Sequence, residues 1–317
     1  MRRDLLAADD RYRPLLKKWS ETEQQHPDAQ KAMEMHQQQV DAWKKEVAKA
    51  RLSGQKIPGR PATPKHDLAG NHRPGNIYNG VLKPVLGYGM RGAIWYQGES
   101  NTDRAYQYRY LFPLMIQSWR SEWQQGDFPV YWAQLADFRN EKPEPADSDW
   151  AELREAQTMT MGKLPNVGEA VLIDIGEGDD IHPRNKQDVA KRLARWALAR
   201  DYGRSLTCRS PIYQSMQKDG AKVTITLEHV GGGLTTVDTP APRGFAIAGT
   251  DQRFVWAEAK IVAPNQVQVW SEHVTDPVAV RYAWADNPQC NVTNAEGLPV
   301  TPFRTDEWPG ITQGVDQ

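Results

Sequence analysis

The stretch AIWYQGESN (residues 93–101) begins as an apolar run and changes abruptly to small and polar residues. Two further apolar runs, VYWAQLA (130–136) and AVLIDI (170–175), follow it along the chain, each separated from the next by a helix-length segment. Near-continuous apolar runs are typical of parallel strands that are buried on both faces. Strands that alternate with helices of roughly ten to twenty residues predict a three-layer α/β sheet.

The predicted elements of this α/β part alternate along the chain: helix 78–87, strand 91–97, helix 104–124, strand 129–136, helix 149–163, strand 168–175 and helix 185–202. Before it, the apolar spacing predicts helix over 4–53 with a break at Pro27-Asp28, and then a Pro/Gly-rich loop. After about residue 204, short period-two segments separated by turn residues predict a sandwich-like β region. We therefore expect three parts: a helical segment with its loop over 1–74, an α/β core over 75–204 and a β-rich domain over 205–317.

The composition excludes several classes of protein. The 317 residues carry a formal net charge of -1, which gives no electrostatic reason to expect a nucleic-acid partner. No run of 18 apolar residues predicts a membrane span, and the charged N-terminus lacks the apolar core of a signal peptide. Two cysteines, Cys208 and Cys290, are too few for a disulfide scaffold, and either one bridge or two free thiols would fit.

The loop after the third predicted strand, GDDIHPRNK (178–186), holds the strongest candidate for chemistry. An acidic residue three positions before a histidine, in a loop at the carboxyl end of a strand, can orient an imidazole that acts as a general base. Asp179 has this spacing from His182, and Asp180 is a second candidate. The alternative is an acidic helix-capping turn with an incidental histidine. The histidine and cysteine spacing offers no zinc site, and no metal or cofactor is expected.

The loop QGESN supplies the second candidate group. Gly98 allows backbone N–H groups to approach a ligand closely, and Gln97 and Asn101 supply side-chain donors. Such donors are what an oxyanion hole requires. Glu99 could orient a residue or hold a substrate hydroxyl; the alternative is a capped strand-to-helix turn. As a nucleophile, Ser100 is disfavoured, because its segment lacks the second glycine of a Gly-x-Ser-x-Gly elbow.

Three residues elsewhere in the α/β part are further candidates for substrate contact. Gln134 lies near the end of the second strand, beside the expected site. Arg154 and Gln157 are three residues apart on the next helix and therefore share one face, which could close over the site.

Seven segments between about residues 75 and 306 together resemble the sialate O-acetylesterase family of SGNH-type carbohydrate esterases. They are RGAIWYQGESN, LFPLMIQSWR, VYWAQLADF, WAELREAQ, DIGEGDDIHPRNKQDVAKRLARWAL, GFAIAG and GLPVTPFRTD. The resemblance implies a flavodoxin-like three-layer core with an attached β domain, and metal-free removal of acetyl groups from sugars through a serine nucleophile. It also implies that His182 is the catalytic histidine and that Gln97, Gly98 and Glu99 line the oxyanion region. The substrate it implies is an O-acetylated sugar or polysaccharide, and it suggests an exported protein.

One departure from the family pattern is serious. The family's nucleophile lies in a Gly-Gln-Ser-Asn type turn after the first strand of the core, and no serine of this chain has that context. The core is therefore expected to be incomplete at its N-terminus and the chain weakly active or inactive. Family members also often have Asn where Asp179 stands, which leaves the acid unassigned. Two alternatives stay open: a non-catalytic carbohydrate-binding protein, and a subunit that a separate N-terminal piece completes.

Overall fold

The computed structural model describes residues 1–25, 29–62, 68 and 70–315. These residues form two compact units, one up to Tyr88 and one from Gly89 to Val315. None of the helices in the described ranges is both long enough and apolar enough to cross a membrane. The predicted break at Pro27-Asp28 lies outside the described residues, and the predicted domain boundaries stay predictions.

The first unit is helical. It contains α1 (Arg3–Ala7), α2 (Arg13–Gln25) and α3 (Ala29–Ser53), with a 3-10 turn at Asp10–Tyr12. The helix predicted over 78–87 is instead a π-helical turn at Tyr78–Leu82 that continues as a 3-10 turn at Lys83–Val85. Pro84 lacks the N–H that a regular helix would need at this point, which accounts for the tightened final turn.

The second unit begins with a parallel sheet. Strands β1 (Ala93–Tyr96), β2 (Val130–Ala133) and β3 (Val167–Ala170) pair in this order, with Ala93 opposite Val130 and Val130 opposite Val167. The third strand is shorter than predicted, because the chain turns away from the sheet after Ala170 although the residues that follow are still buried.

Helices cover both faces of this sheet. Helices α4 (Ala105–Trp123) and α5 (Asp149–Met159) pack on one face, where Phe112 and Leu153 contact Trp132 in a common core. Helix α6 (Lys186–Arg200) packs on the other face through Trp196. The sheet with helices on both sides agrees with the predicted α/β class.

The rest of the unit consists of antiparallel strands, in agreement with the predicted β region. The strands are β4 (Ile212–Asp219), β5 (Lys222–Glu228), β6 (Leu234–Thr236), β7 (Phe245–Ala248), β8 (Val255–Trp256), β9 (Glu258–Ala263), β10 (Gln266–Trp270), β11 (Ala279–Tyr282), β12 (Val292–Asn294) and β13 (Phe303–Arg304). Two four-stranded sheets, in the orders β4-β5-β10-β9 and β13-β11-β7-β8, share one hydrophobic core, and β12 pairs with β6. Cys208 and Cys290 are both free thiols.

Helix α5 joins the two sheet regions. The guanidinium of Arg154 is fully buried and donates hydrogen bonds of 2.6–2.9 Å to four carbonyl oxygens, those of Leu135 and Ala136 on one side and of Ala285 and Asp286 on the other. Burial lowers the pKa of Arg154 to about 10. Its side chain therefore joins the α/β sheet to the β region through hydrogen bonds.

The two edges of the parallel sheet differ. At β3, side chains of α6 occupy the outward carbonyls: Trp196 Nε1 donates to Glu169 O at 2.9 Å and Arg192 Nη1 to Val171 O at 2.6 Å. At β1, β2 is the single strand neighbour within the described residues. Ile94 of β1 is opposite Tyr131 of β2, and its side chain is 72% exposed. The far edge of β1 is thus open within the described residues, and the exposure of Ile94 shows that the sheet face is also uncovered at this strand.

Candidate active site

The loop after β1 is held tightly against the neighbouring elements. A 3-10 turn over Glu99–Arg104 begins directly after Gly98. A Cβ atom at Gly98 would lie 2.8 Å from Leu153 Cδ2 and 3.1 Å from Leu135 Cδ2. The φ of 155° at Gly98 also favours glycine, and a larger residue would have to displace these leucine side chains.

Hydrogen bonds fix the two amide side chains of this loop. Gln97 Nε2 donates to Asn101 Oδ1 at 2.8 Å, and Tyr108 Oη donates to Gln97 Oε1 at 3.3 Å. Gln157 Nε2 lies 3.4 Å from Gln97 O, and Gln157 Oε1 accepts from the N–H of Leu135 at 3.0 Å. Gln157, one of the two α5 residues predicted to face the site, therefore contacts the backbone of this loop.

Two polar groups of the loop are available to a ligand. Within the described residues, neither Asn101 Nδ2 nor the carboxylate of Glu99 has a hydrogen-bond partner, and both residues are half-buried. Ser100 is exposed, and its carbonyl oxygen lies 3.4 Å from Arg104 Nη2. In the part of the chain that the structure describes, no histidine lies at hydrogen-bonding distance from its hydroxyl, and its role stays a prediction.

The histidine loop places His182 at the surface, with its side chain 87% exposed. Asp180 Oδ1 accepts the backbone N–H of His182 at 2.8 Å and lies 3.8 Å from the imidazole Nδ1. Asp179 is exposed and makes no hydrogen bond to His182. Asp180 is thus the nearer carboxylate, although it binds the loop backbone rather than the ring. Which acid orients the imidazole stays a prediction.

The histidine loop is anchored to the loop that follows β2. Gly176 N donates to Asp137 Oδ1 at 2.6 Å, and Arg139 N donates to Gly178 O at 2.8 Å. A Cβ atom at Gly176 would lie 2.1 Å from Asp137 O, which requires glycine there. Burial raises the pKa of the Asp137 carboxyl above its ordinary value.

An ion pair closes the same loop on itself. Glu177 accepts the backbone N–H of Arg184 at 2.7 Å and forms a salt bridge of 2.9 Å with its guanidinium. The arginine hydrogen bond is the main cause that lowers the pKa of the Glu177 carboxyl. His182 therefore lies within a loop whose two ends are tied together.

The end of the histidine segment contacts the strand that leads into the QGESN loop. Lys186 Nζ, four residues after His182, lies 4.6 Å from the ring centroid of Tyr96, which directly precedes Gln97. The pKa of Tyr96 is raised to about 12, first by burial and then by the nearby negative charges of Glu99 and Asp137. Glu99 and Asp137 are thus near enough to Tyr96 to influence its ionisation. Tyr96, Asp137 and Lys186 were not predicted, although Asp137 follows a strand end, where such residues are expected.

Gln134 points into the interior. Its side chain is fully buried, and Nε2 donates to Thr158 Oγ1 at 3.0 Å. Thr158 Oγ1 in turn donates to Glu169 Oε2 at 2.8 Å, and Trp132 Nε1 donates to Glu169 Oε1 at 3.0 Å. Burial raises the pKa of Glu169 from 4.5 to about 7. Gln134 thus belongs to a buried polar network between sheet and helix, and its contact with substrate stays a prediction.

Comparisons with known proteins agree with the resemblance found in the sequence. Residues 72–199 match the family described as carbohydrate esterase, sialic acid-specific acetylesterase. The chain is similar to the sialate O-acetylesterase of Homo sapiens, with 29% identity over 82% of this chain and 54% of that protein. It is also similar to the sialate O-acetylesterase of Mus musculus, with 30% identity over 76% of this chain and 49% of that protein. It thus spans about half the length of the curated relatives it matches.

A crystal structure of a carbohydrate acetylesterase from Xanthomonas citri is similar in three dimensions. The two share 42% identity with a TM-score of 0.71, over 76% of this chain and 56% of that one. These findings confirm the family resemblance, since residues 72–199 match the sialate O-acetylesterase family of carbohydrate esterases.

Proposed function

We propose that this member of the sialate O-acetylesterase family carries the base and oxyanion side of a carbohydrate O-acetylesterase site. The observation that carries the proposal is the contact of Lys186, at the end of the histidine segment, with Tyr96, which directly precedes the QGESN loop. In this proposal His182 is the general base, and an adjacent acid, Asp180 or Asp179, orients it. Gln97, Gly98, Glu99 and Asn101 face the acetyl group or the sugar, and Gln134 supports them.

The chemistry follows from these groups. A serine hydroxyl attacks the acetyl carbonyl while His182 takes its proton, and the developing oxyanion needs N–H donors. Asn101 Nδ2 is such a donor that the described residues leave unoccupied. The histidine then returns the proton to the sugar oxygen as it leaves, and water removes the acetyl group from the serine. The substrates proposed are O-acetylated sugars or polysaccharides.

The nucleophile is the missing part. Within the described residues no serine hydroxyl lies at hydrogen-bonding distance from His182. We therefore propose that a serine-bearing segment, supplied by a separate N-terminal piece, completes a flavodoxin-like sheet at β1. The open side of β1 and the 72% exposure of Ile94 support this proposal. By itself the chain is then weakly active or inactive.

Hydrolysis of p-nitrophenyl acetate tests these proposals. The chain is expected to show little turnover above that of a His182→Ala variant, with His273→Ala, an exposed histidine of the β region, as the matched control. Strong turnover that His182→Ala abolishes and Ser100→Ala leaves intact would mean that the chain holds another nucleophile. Turnover lost in Ser100→Ala would make Ser100 the nucleophile and would contradict the missing-serine proposal.

A second candidate is a carbohydrate-binding protein without hydrolysis. The 87% exposure of the His182 side chain, with no serine beside it in the described residues, favours it. Binding of an O-acetylated sugar without acetate release would support this candidate. If the gene's upstream reading frame encoded a Gly-Gln-Ser-Asn turn, the result would instead support the completed esterase.

A further inference from the structure

A groove of about 280 Å³ lies between the proline-containing segment 142–146 and the β region. Two tryptophans line it, Trp256 and Trp284, together with the side-chain amides of Asn287 and Gln289. This volume is near the lower end of the roughly 300–1,000 Å³ found for small-molecule pockets. The groove therefore has the size and the mixed lining of a binding site for one small ring.

Trp256 divides this groove from a smaller neighbouring one. It lies in the edge strand β8, is 40% exposed, and lines both the main groove and a second cavity of about 170 Å³. Its Nε1 donates to Pro143 O at 2.7 Å, which holds the indole in place. The partly exposed indole offers an apolar surface to a ligand. Because the hydrogen bond already fixes this side chain, binding would cost little of its conformational entropy.

The opposite wall is also rigid. Trp284 is 8% exposed, and the guanidinium groups of Arg281 and Arg304 lie 5.2 and 5.3 Å from its ring centroid. Arg281 is itself fixed by a salt bridge of 2.9 Å to Asp306, which is buried. Cation–π contacts on a buried ring restrict its motion, so the groove exists before any ligand binds.

The groove leads towards the candidate active site. Asn287 and Gln289 also line an adjoining cleft of about 470 Å³ that contains Asp137. Asn287 Nδ2 donates to Arg139 O at 2.9 Å, and Arg139 N holds Gly178 of the histidine loop. A chain-like ligand seated at Trp256 would therefore extend to the base of the loop that carries His182.

The cations near the groove are already paired. Arg243 forms a salt bridge of 2.7 Å with Asp238, and Lys142 Nζ lies 3.9 Å from the carboxylate of Asp286. A ligand carboxylate would have to compete with these acids for each cation. The groove is thus suited to a ring without a net charge.

We propose that this groove binds a neutral pyranose unit of a glycan whose acetylated sugar occupies the site at His182. The inference rests on the proposed function and specifies its substrate as an acetylated oligosaccharide or polysaccharide with uncharged units. The apolar C–H face of the pyranose ring packs on Trp256. Its hydroxyls donate to the amide oxygens of Asn287 and Gln289, whose nitrogens are held by Arg139 and Glu141.

Binding of two unacetylated probes, xylotetraose and cellotetraose, measured by isothermal titration calorimetry, tests the inference without any need for hydrolysis. At least one probe is expected to bind, and Trp256→Ala is expected to weaken that binding at least tenfold. The matched control is Trp270→Ala, which removes a tryptophan of β10 that packs against Lys222 in the other sheet. Trp256→Phe keeps an aromatic ring and is expected to retain part of the affinity, and thermal melting verifies that each variant is folded.

The inference is overturned if neither probe binds, or if Trp256→Ala binds as tightly as Trp270→Ala. It is also overturned if N-acetylneuraminic acid, an anionic sugar, binds more tightly than both probes and loses affinity in Trp256→Ala. The two proposals fail separately: probe binding together with strong turnover that His182→Ala leaves unchanged contradicts only the proposed function. The absence of probe binding, with the low turnover that is expected of the chain alone, contradicts only the groove.

Discussion

The buried carboxyl of Glu169 makes the stability of this protein depend on pH in an unusual direction. It is 5% exposed and accepts hydrogen bonds from Trp132 and Thr158. Burial is the largest cause that raises its pKa from 4.5 to about 7 in the folded state. Between these values the folded protein binds the proton more strongly than the unfolded chain, so the stabilisation is complete below pH 4.5 and is lost as pH rises through 7.

The size of this effect follows from the two pKa values. The difference between 4.5 and about 7, at about 1.4 kcal/mol per pH unit, corresponds to about 3 kcal/mol. Most of it, about 2 to 3 kcal/mol, is lost between pH 5 and pH 8. Glu169→Gln keeps the shape and an acceptor for Trp132 but carries no titrating group. We expect this variant to lack that part of the pH dependence.

Urea unfolding at pH 5 and pH 8, followed by tryptophan fluorescence, measures the difference. Other groups also titrate in this range, so the informative quantity is the pH dependence of the wild-type protein minus that of Glu169→Gln. Glu272→Gln, at an exposed position of the β region, is the matched control and is expected to follow the wild type. Equal pH dependence in the wild type and in Glu169→Gln would refute the argument.

Three further substitutions test the contacts that hold the site. Gly98→Ala places a methyl group 2.8 Å from Leu153 and is expected to cost about 1–3 kcal/mol in unfolding free energy, whereas Gly162→Ala, with open space around it, should not; urea denaturation compares them. Asp137→Ala leaves the N–H of Gly176 without its acceptor, and we expect a loss of about 1–3 kcal/mol and faster hydrogen exchange at that amide, measured by mass spectrometry. Arg154→Met leaves four buried carbonyls without their donor. We expect it to lower the thermal midpoint by several degrees at least, and by more than Gly98→Ala or Asp137→Ala does. An unchanged midpoint would contradict the role of Arg154 in joining the two sheet regions.

Much of the α/β architecture could be predicted from the sequence, because continuous apolar runs and helical spacing reflect burial directly. The end of the third strand could not. Val171 to Ile173 are as buried as the strand itself, so an apolar run does not show where ladder hydrogen bonds stop. The position of both motif loops at one edge of the sheet was predictable in outline, since the carboxyl ends of parallel strands share that edge.

The contacts within the site were less predictable. The anchor from Asp137 to Gly176 joins loops 39 residues apart, and nothing local in either segment indicates it. Gln134 is a polar residue at a strand end, and its direction depends on which side of the strand meets α5. Glu169 lies in a buried strand, where a carboxyl is tolerated because Trp132 and Thr158 bind it.

The two edges of the parallel sheet, β1 and β3, differ in how readily a further strand could pair with them. Trp196 and Arg192 occupy the carbonyls at β3, so a strand that approached from that side would have to displace two buried side chains. At β1 no such barrier is present within the described residues. Any extension of the sheet, whether by a partner segment or by a second copy of the chain, therefore proceeds outward from β1. A parallel strand added at β1 would end beside the loop of Gln97, so in the proposed esterase the same step would extend the sheet and complete the site.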